Sequence, residues 1–194
     1  MISYDETTAL IVVDVQNDFA DPNGSLYVSD GDKVVPTIND EIERALSSGA
    51  AVFYTQDWHP ASTPHFEKDG GIWPVHCVMD TWGAALHPDL AVTGEIVRKG
   101  SRGEDGYSGF TERDPVTGAE KPTPLEQMLR DRRIERVVVV GLATDYCVKA
   151  TALDALGRDL DVTVMRDAVR AVDREPGDGD AALRELEAAG AALR

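Results

Sequence analysis

The chain has 194 residues, 42% hydrophobic and 28% charged, the make-up of an ordinary globular protein with one substantial core. Nineteen Lys and Arg against 35 Asp and Glu give a formal net charge of −16, which argues against a nucleic-acid or anionic-membrane surface. Two cysteines, Cys77 and Cys147, imply no disulfide framework. No basic-then-apolar leader opens the sequence, and no apolar run reaches membrane-spanning length. The expectation is a single cytoplasmic domain over residues 1–194.

Thr8 to Val15 is a continuous apolar run and predicts a central strand, interrupted near its carboxyl end by Asp14. Asn17 to Ser25 reads as loop. From Asp32 to Ser48 the spacing of Val34, Ile38, Ile42, Ala45 and Leu46 predicts an amphipathic helix, with Pro36 in its first turn and Gly49 closing it. Ala50 to Gln56 is a second strand, followed at once by Asp57 and His59. Pro60 to Leu90 is irregular and rich in Pro, Gly, His and Trp; a loop that long in a compact domain is more often functional than idle. Glu95 to Arg98 is a third strand, with Lys99 next. Gly100 to Lys121 reads as loop and holds Gly-Tyr-Ser-Gly-Phe at 106–110. Thr123-Pro-Leu-Glu126 has the form of a capping box opening a helix through Arg132.

Arg136 to Gly141 carries four consecutive valines, which predict a strand buried on both faces. Thr144 is a good N-cap for the helix that follows, and Cys147 falls three residues later, in its first turn. Unpaired N–H groups and the helix dipole there should lower the thiol pKa. Asp161 to Met165 is a fifth strand, Ala181 to Ala189 a last helix, and the terminal Ala-Ala-Leu the start of a sixth strand. Strands alternating with helices predict an α/β fold, a three-layer α/β/α sandwich with a mostly parallel central sheet of about six strands.

On that layout Asp14, Asp57, Lys99 and Cys147 each fall at or just past the carboxyl end of a strand. In an open α/β sheet those ends share one edge, where ligands bind. Asp14 can take the thiol proton of Cys147 and later return one to a leaving group. Lys99 would stabilise the thiolate and hold Asp14, and the N–H groups of Ala143 and Cys147 could form an oxyanion hole. That is apparatus for acyl transfer at an amide or ester carbonyl. Asp57-Trp-His59, His65 and Trp73-Pro-Val-His76 gather three of the four histidines and a carboxylate, a donor set suited to Zn, Fe or Mn.

These motifs, Val-Asp14-Val-Gln-Asn-Asp-Phe19, Asp57-Trp-His59, His65-Phe, Trp73-Pro-Val-His76-Cys, Lys99-Gly, Gly-Tyr107-Ser-Gly-Phe and Gly-Leu-Ala-Thr-Asp-Tyr-Cys147, span almost the whole chain. Together they resemble the nicotinamidase/pyrazinamidase branch of the isochorismatase-like cysteine hydrolases. The resemblance implies a triad of Asp14, Lys99 and Cys147. It implies one divalent transition metal (Zn, Fe or Mn) on Asp57, His59 and His76, with His65 completing the site in some members. It implies an aromatic-amide pocket walled by Phe19, Trp73 and Tyr107 and edged by Leu142 and Tyr146, and a cis peptide between Leu142 and Ala143. The implied reaction is nicotinamide to nicotinate and ammonia through a thioester, in NAD salvage, with pyrazinamide a further substrate. Tyr146 stands where some relatives carry His, and the role of the polar 100–106 segment does not transfer. Two alternatives stand beside this reading: another hydrolase of the same scaffold acting on a vinyl ether or carbamoyl compound, and a non-catalytic metal or redox protein. A small-molecule partner is expected, with neither nucleic acid nor membrane; a homo-oligomer is compatible with all of this.

Overall fold

The computed structural model describes residues 2–194. In chain order the elements are β1 (Thr8–Val13), a short helix α1 (Asn17–Ala20), α2 (Val34–Ser47), β2 (Ala51–Asp57), β3 (Glu95–Lys99), a hairpin of β4 (Thr111–Arg113) and β5 (Glu120–Pro122), α3 (Leu125–Asp131), β6 (Arg136–Leu142), α4 (Lys149–Leu156), β7 (Asp161–Arg170), α5 (Asp178–Ala189) and β8 (Ala192–Leu193). Six strands form one sheet in the order β3-β2-β1-β6-β7-β8, and every pairing in it is parallel. The expected α/β class and six-stranded parallel sheet are what the chain adopts. Among the described residues no helix is long and apolar enough to cross a membrane.

β1 and most of β6 are buried along their length, as their unbroken apolar runs require. Side chains alternate between the two faces. Leu10 and Val12 pack with Val34, Val35, Ile38 and Ile42 of α2. Ala9, Ile11 and Val13 pack with Leu125 and Leu129 of α3, Val148, Ala152 and Ala155 around α4, and Leu186 of α5. The order places β1 and β6 side by side with their crossovers leading opposite ways, so a crevice opens at their carboxyl ends.

The structure differs from the sequence reading at several boundaries. β1 stops at Val13, because Asp14 adopts a left-handed backbone (φ 48°) that leaves the ladder. The loop from Asn17 contains the one-turn α1. The 100–121 loop contains the β4–β5 hairpin, whose three-residue strands are too short and polar to show a period. β7 runs on to Arg170 through a register shift opposite Val139–Gly141. At α3 the Thr123 hydroxyl accepts from Leu125 N–H at 3.2 Å, but Glu126 turns to Arg130 and Arg158 instead of closing a capping box. Thr144 caps nothing. Residues 144–148 form a π-helical turn, with Val148 N–H donating to Ala143 O at 3.1 Å, before α4 begins.

Candidate active site

Four side chains meet where the sheet edge opens. Asp14 follows β1, Asp57 ends β2, and Lys99 ends β3 directly opposite Asp57 in register. Lys99 Nζ lies 2.8 Å from Asp14 Oδ2, makes a close ion pair with Asp57 Oδ1, and donates to Cys147 Sγ at 3.6 Å. All four are buried, Lys99 at 2% exposure and Asp14 at 0%. A buried ammonium is tolerable only with such partners. Thr55 Oγ1 donates to Asp14 Oδ1 at 2.6 Å and accepts from Asp14 N–H at 3.2 Å, locking the carboxylate's direction. Asp14 Oδ2 approaches Lys99 off the hydrogen-bond axis, so it has no aligned donor.

The electrostatics divide the labour between the two carboxylates that share Lys99. Burial acts to raise Asp57, but the Lys99 ammonium and the His59 and His76 imidazoles outweigh it and hold the carboxyl well below its ordinary range. For Asp14 burial wins over Lys99, and the proximity of Asp57 adds to it, so its carboxyl is held above the ordinary range. Burial works against the Lys99 charge, yet Asp14 and Asp57 keep it protonated. Burial also pushes the Cys147 thiol up, outweighing Lys99. That reverses the expectation from the helix terminus: the first turn is π-helical and the sulfur sits in a buried pocket wall. The resting site therefore pairs a neutral thiol with a carboxylate tuned to take its proton.

Beside this group stand His59, His65 and His76, each offering a nitrogen within 4.8 Å of the others. His59 is 3% exposed, and neither of its ring nitrogens has a hydrogen-bond partner. Its Nε2 is 3.7 Å from Asp57 Oδ2, beyond a hydrogen bond. An orphaned buried imidazole is costly without a Lewis acid or donor to engage it. His76 Nδ1 donates to Pro74 O at 2.7 Å, which fixes the proton there and leaves Nε2 a free lone pair. Burial lowers the His76 pKa to about 4, favouring the neutral, ligating form. Three converging imidazoles, with the Asp57 carboxylate beside His59, fit a divalent transition ion.

Three further side chains hold the backbone around this group in place. The Gln16 amide donates to Asp57 O at 2.7 Å and accepts from Asp57 N–H at 2.8 Å, so the residue after Val15 clamps the backbone of Asp57. Asp18 accepts from Cys77 N–H at 2.7 Å, anchoring the strap that carries His76. Asp145 accepts from Val172 and Asp173 N–H at 3.0 and 2.9 Å, tying the π-turn to the segment after β7.

A pocket opens over the group. Of the expected residues, Phe19, Asp57, His65, Trp73, His76, Tyr107, Ala143, Tyr146 and Cys147 line it. Trp73 Nε1 donates to Tyr107 Oη at 3.0 Å, and the Tyr146 ring meets Trp73 edge-on at 4.8 Å, giving a flat slot with aromatic walls. Leu142 does not line the pocket; it is fully buried in the core below, because it ends β6 with its side chain under Gly31. Leu26, Val28 and Val172 join the lining from segments without periodicity, so no signal marked them. The Leu142–Ala143 peptide is cis.

Residues 8–194 match the family model described as the isochorismatase domain. The nicotinamidase of Escherichia coli (strain K12) is 40% identical over 203 residues, covering 95% of this chain and 93% of the relative. Among solved structures, the pyrazinamidase of Pyrococcus horikoshii in complex with zinc superposes with a TM-score of 0.85 at 40% identity, covering 97% and 98% of the two chains. PnC1 from L. infantum in complex with nicotinate superposes with a TM-score of 0.88 at 36% identity, covering 100% and 95%.

Proposed function

The chain belongs to the isochorismatase family, and from that premise we infer how its pocket works. It is a cysteine amidohydrolase that converts nicotinamide to nicotinate and ammonia, and it accepts pyrazinamide, whose carboxamide sits on a ring of the same size. The observation that carries the mechanism is the convergence of the Cys147 thiol, the Asp14 carboxyl and the Lys99 ammonium at the floor of an aromatic slot.

Cys147 Sγ attacks the carboxamide carbon as its proton passes to Asp14, so an S–C bond forms and the carbonyl oxygen takes the negative charge. The Ala143 and Cys147 N–H groups stabilise that oxygen. Asp14 returns the proton to the nitrogen as the C–N bond breaks, releasing ammonia and leaving a thioester. Asp14, again a base, takes a proton from water, whose oxygen displaces the thiolate; the thiolate recovers the proton. Lys99 keeps its charge throughout and offsets whichever of Asp14 or Cys147 is anionic. Asp57, His59, His65 and His76 would hold one divalent ion, zinc, iron or manganese by their donor types. Bound there, the ion supplies a Lewis-acid anchor for the ring nitrogen and so holds the ring in register. Trp73, Tyr107 and Phe19 sandwich the ring, and Tyr146 closes its edge.

Ammonia release across a panel of amides tests the reading. Nicotinamide and pyrazinamide should react, benzamide, which lacks the ring nitrogen, should react far more slowly, and chelation should abolish the difference. Turnover of carbamoyl or vinyl-ether compounds with none of nicotinamide would replace this reading by the other hydrolase chemistry of the scaffold.

A further inference from the structure

We propose that Asp105 is a positioning residue that makes His65 a metal ligand, and that Arg113 on the β4–β5 hairpin holds Asp105 in place to do so. The inference rests on the metal-dependent reading above and concerns the 100–106 segment, to which that reading assigns no role. Asp105 Oδ1 lies 2.8 Å from His65 Nδ1. A carboxylate only accepts, so Nδ1 carries a proton and Nε2 is the nitrogen left to ligate a metal. The Pro74 carbonyl does the same for His76. The stronger acceptor at His65 also makes that imidazole a better donor to a metal, the general effect of a carboxylate behind a ligating histidine.

Asp105 is itself fixed at every polar atom. Its Oδ2 accepts from Arg113 Nη2 at 2.9 Å, and its Oδ1 accepts also from Gly106 N–H at 2.8 Å. Its backbone N–H donates to Arg113 O at 2.7 Å and its carbonyl accepts from Arg113 N–H at 2.6 Å. The hairpin thus forms a hydrogen-bonded arm ending on His65, whose ring stacks on His59 at 4.9 Å. Without that arm His65 has no side-chain hydrogen bond to choose its tautomer or orientation.

The test is metal binding by chelator-stripped protein, with zinc in competition with a chromophoric chelator and with cobalt read from its visible bands. Wild type, Asp105→Ala, His65→Ala and the double variant are compared, with metal-free unfolding midpoints as the control. Asp105→Ala should bind about 10–100-fold more weakly, with altered cobalt bands and an unchanged metal-free midpoint. The double variant should bind no more weakly than His65→Ala alone. Wild-type affinity in Asp105→Ala or in His65→Ala, or full additivity in the double variant, overturns the proposal. Should Asp105→Ala not fold, Asp105→Asn keeps the fork shape and the Gly106 contact; weakened metal binding supports the proposal and wild-type affinity refutes it. Nicotinamide hydrolysis by wild type is assayed in parallel. If it proceeds while Asp105→Ala binds normally, this inference alone falls. If wild type releases no ammonia, the assigned reaction falls, and the titrations still decide the role of Asp105.

Discussion

Asp14 and Cys147 are both buried, and burial shifts them in ways that serve each other: the thiol keeps its proton, and the carboxylate is raised towards the pH at which it can accept one. Asp14→Asn removes the proton acceptor but keeps the side-chain shape and the Thr55 contact. Its kcat for nicotinamide should fall on the order of 10²–10⁴-fold with an unchanged circular dichroism spectrum. Gln16→Ala leaves the Asp57 N–H and C=O without their partner, a cost of about 1–3 kcal/mol for a buried group. Thermal unfolding should show that loss, and metal affinity should drop with it. The residues that converge at the sheet edge were legible in the sequence because each falls at or just past the end of a strand. Gln16 and Asp105 were not, because their partners lie 41 and 40 positions away, in segments whose placement has no local signature. The thiol's protonation was misread for a related reason: helix termini are visible in a sequence, and the burial that overrides them is not.

β6 and the turn after it decide where Cys147 stands. Gly141 adopts φ +111°, and a Cβ there would lie 2.1 Å from Val13 O, in the neighbouring strand's backbone. Gly141→Ala should therefore lower stability by at least about 1–3 kcal/mol, seen as a reduced denaturation midpoint, and should weaken catalysis by shifting the turn. At the other end of β6, Arg136 pairs with Asp5, which also accepts from Thr7 and from Thr8 at the start of β1. The Arg136 guanidinium first, then the Thr7 and Thr8 donors, hold the Asp5 carboxyl well below its ordinary range. A depressed folded-state pKa adds stability above the unfolded value near 4 and loses it as pH falls through the folded value. The unfolding midpoints of wild type and Asp5→Asn should thus differ at neutral pH and converge on acidification; the pair is exposed, so the difference should also shrink in salt. Strand and helix types were readable from period and β-branching. Their ends were not, since Asp14's left-handed turn, the π-turn at 144–148 and the β4–β5 hairpin answer to packing beyond any local window.

Across the molecule, one topological fact assembles the site. Parallel strands bring every carboxyl end to one edge, and the order β3-β2-β1-β6 sets Lys99, Asp57, Asp14 and the Cys147 turn side by side. This much followed from the alternation of strands and helices, and it is why four isolated residues could be read as one group. The pocket's far wall, Leu26, Val28 and Val172, and the exclusion of Leu142 from it, follow from how irregular segments fold over that edge. The central claim is that Cys147 is acylated by the substrate and Asp14 moves the protons. Intact-protein mass measured on enzyme quenched during nicotinamide turnover, alongside ammonia release by wild type and Cys147→Ala, tests it most directly. Wild type should carry one nicotinoyl group, and Cys147→Ala should carry none and lose activity on the order of 10⁴-fold or more while retaining its fold and bound metal. A Cys147→Ala protein that still releases ammonia at the wild-type rate would contradict the account.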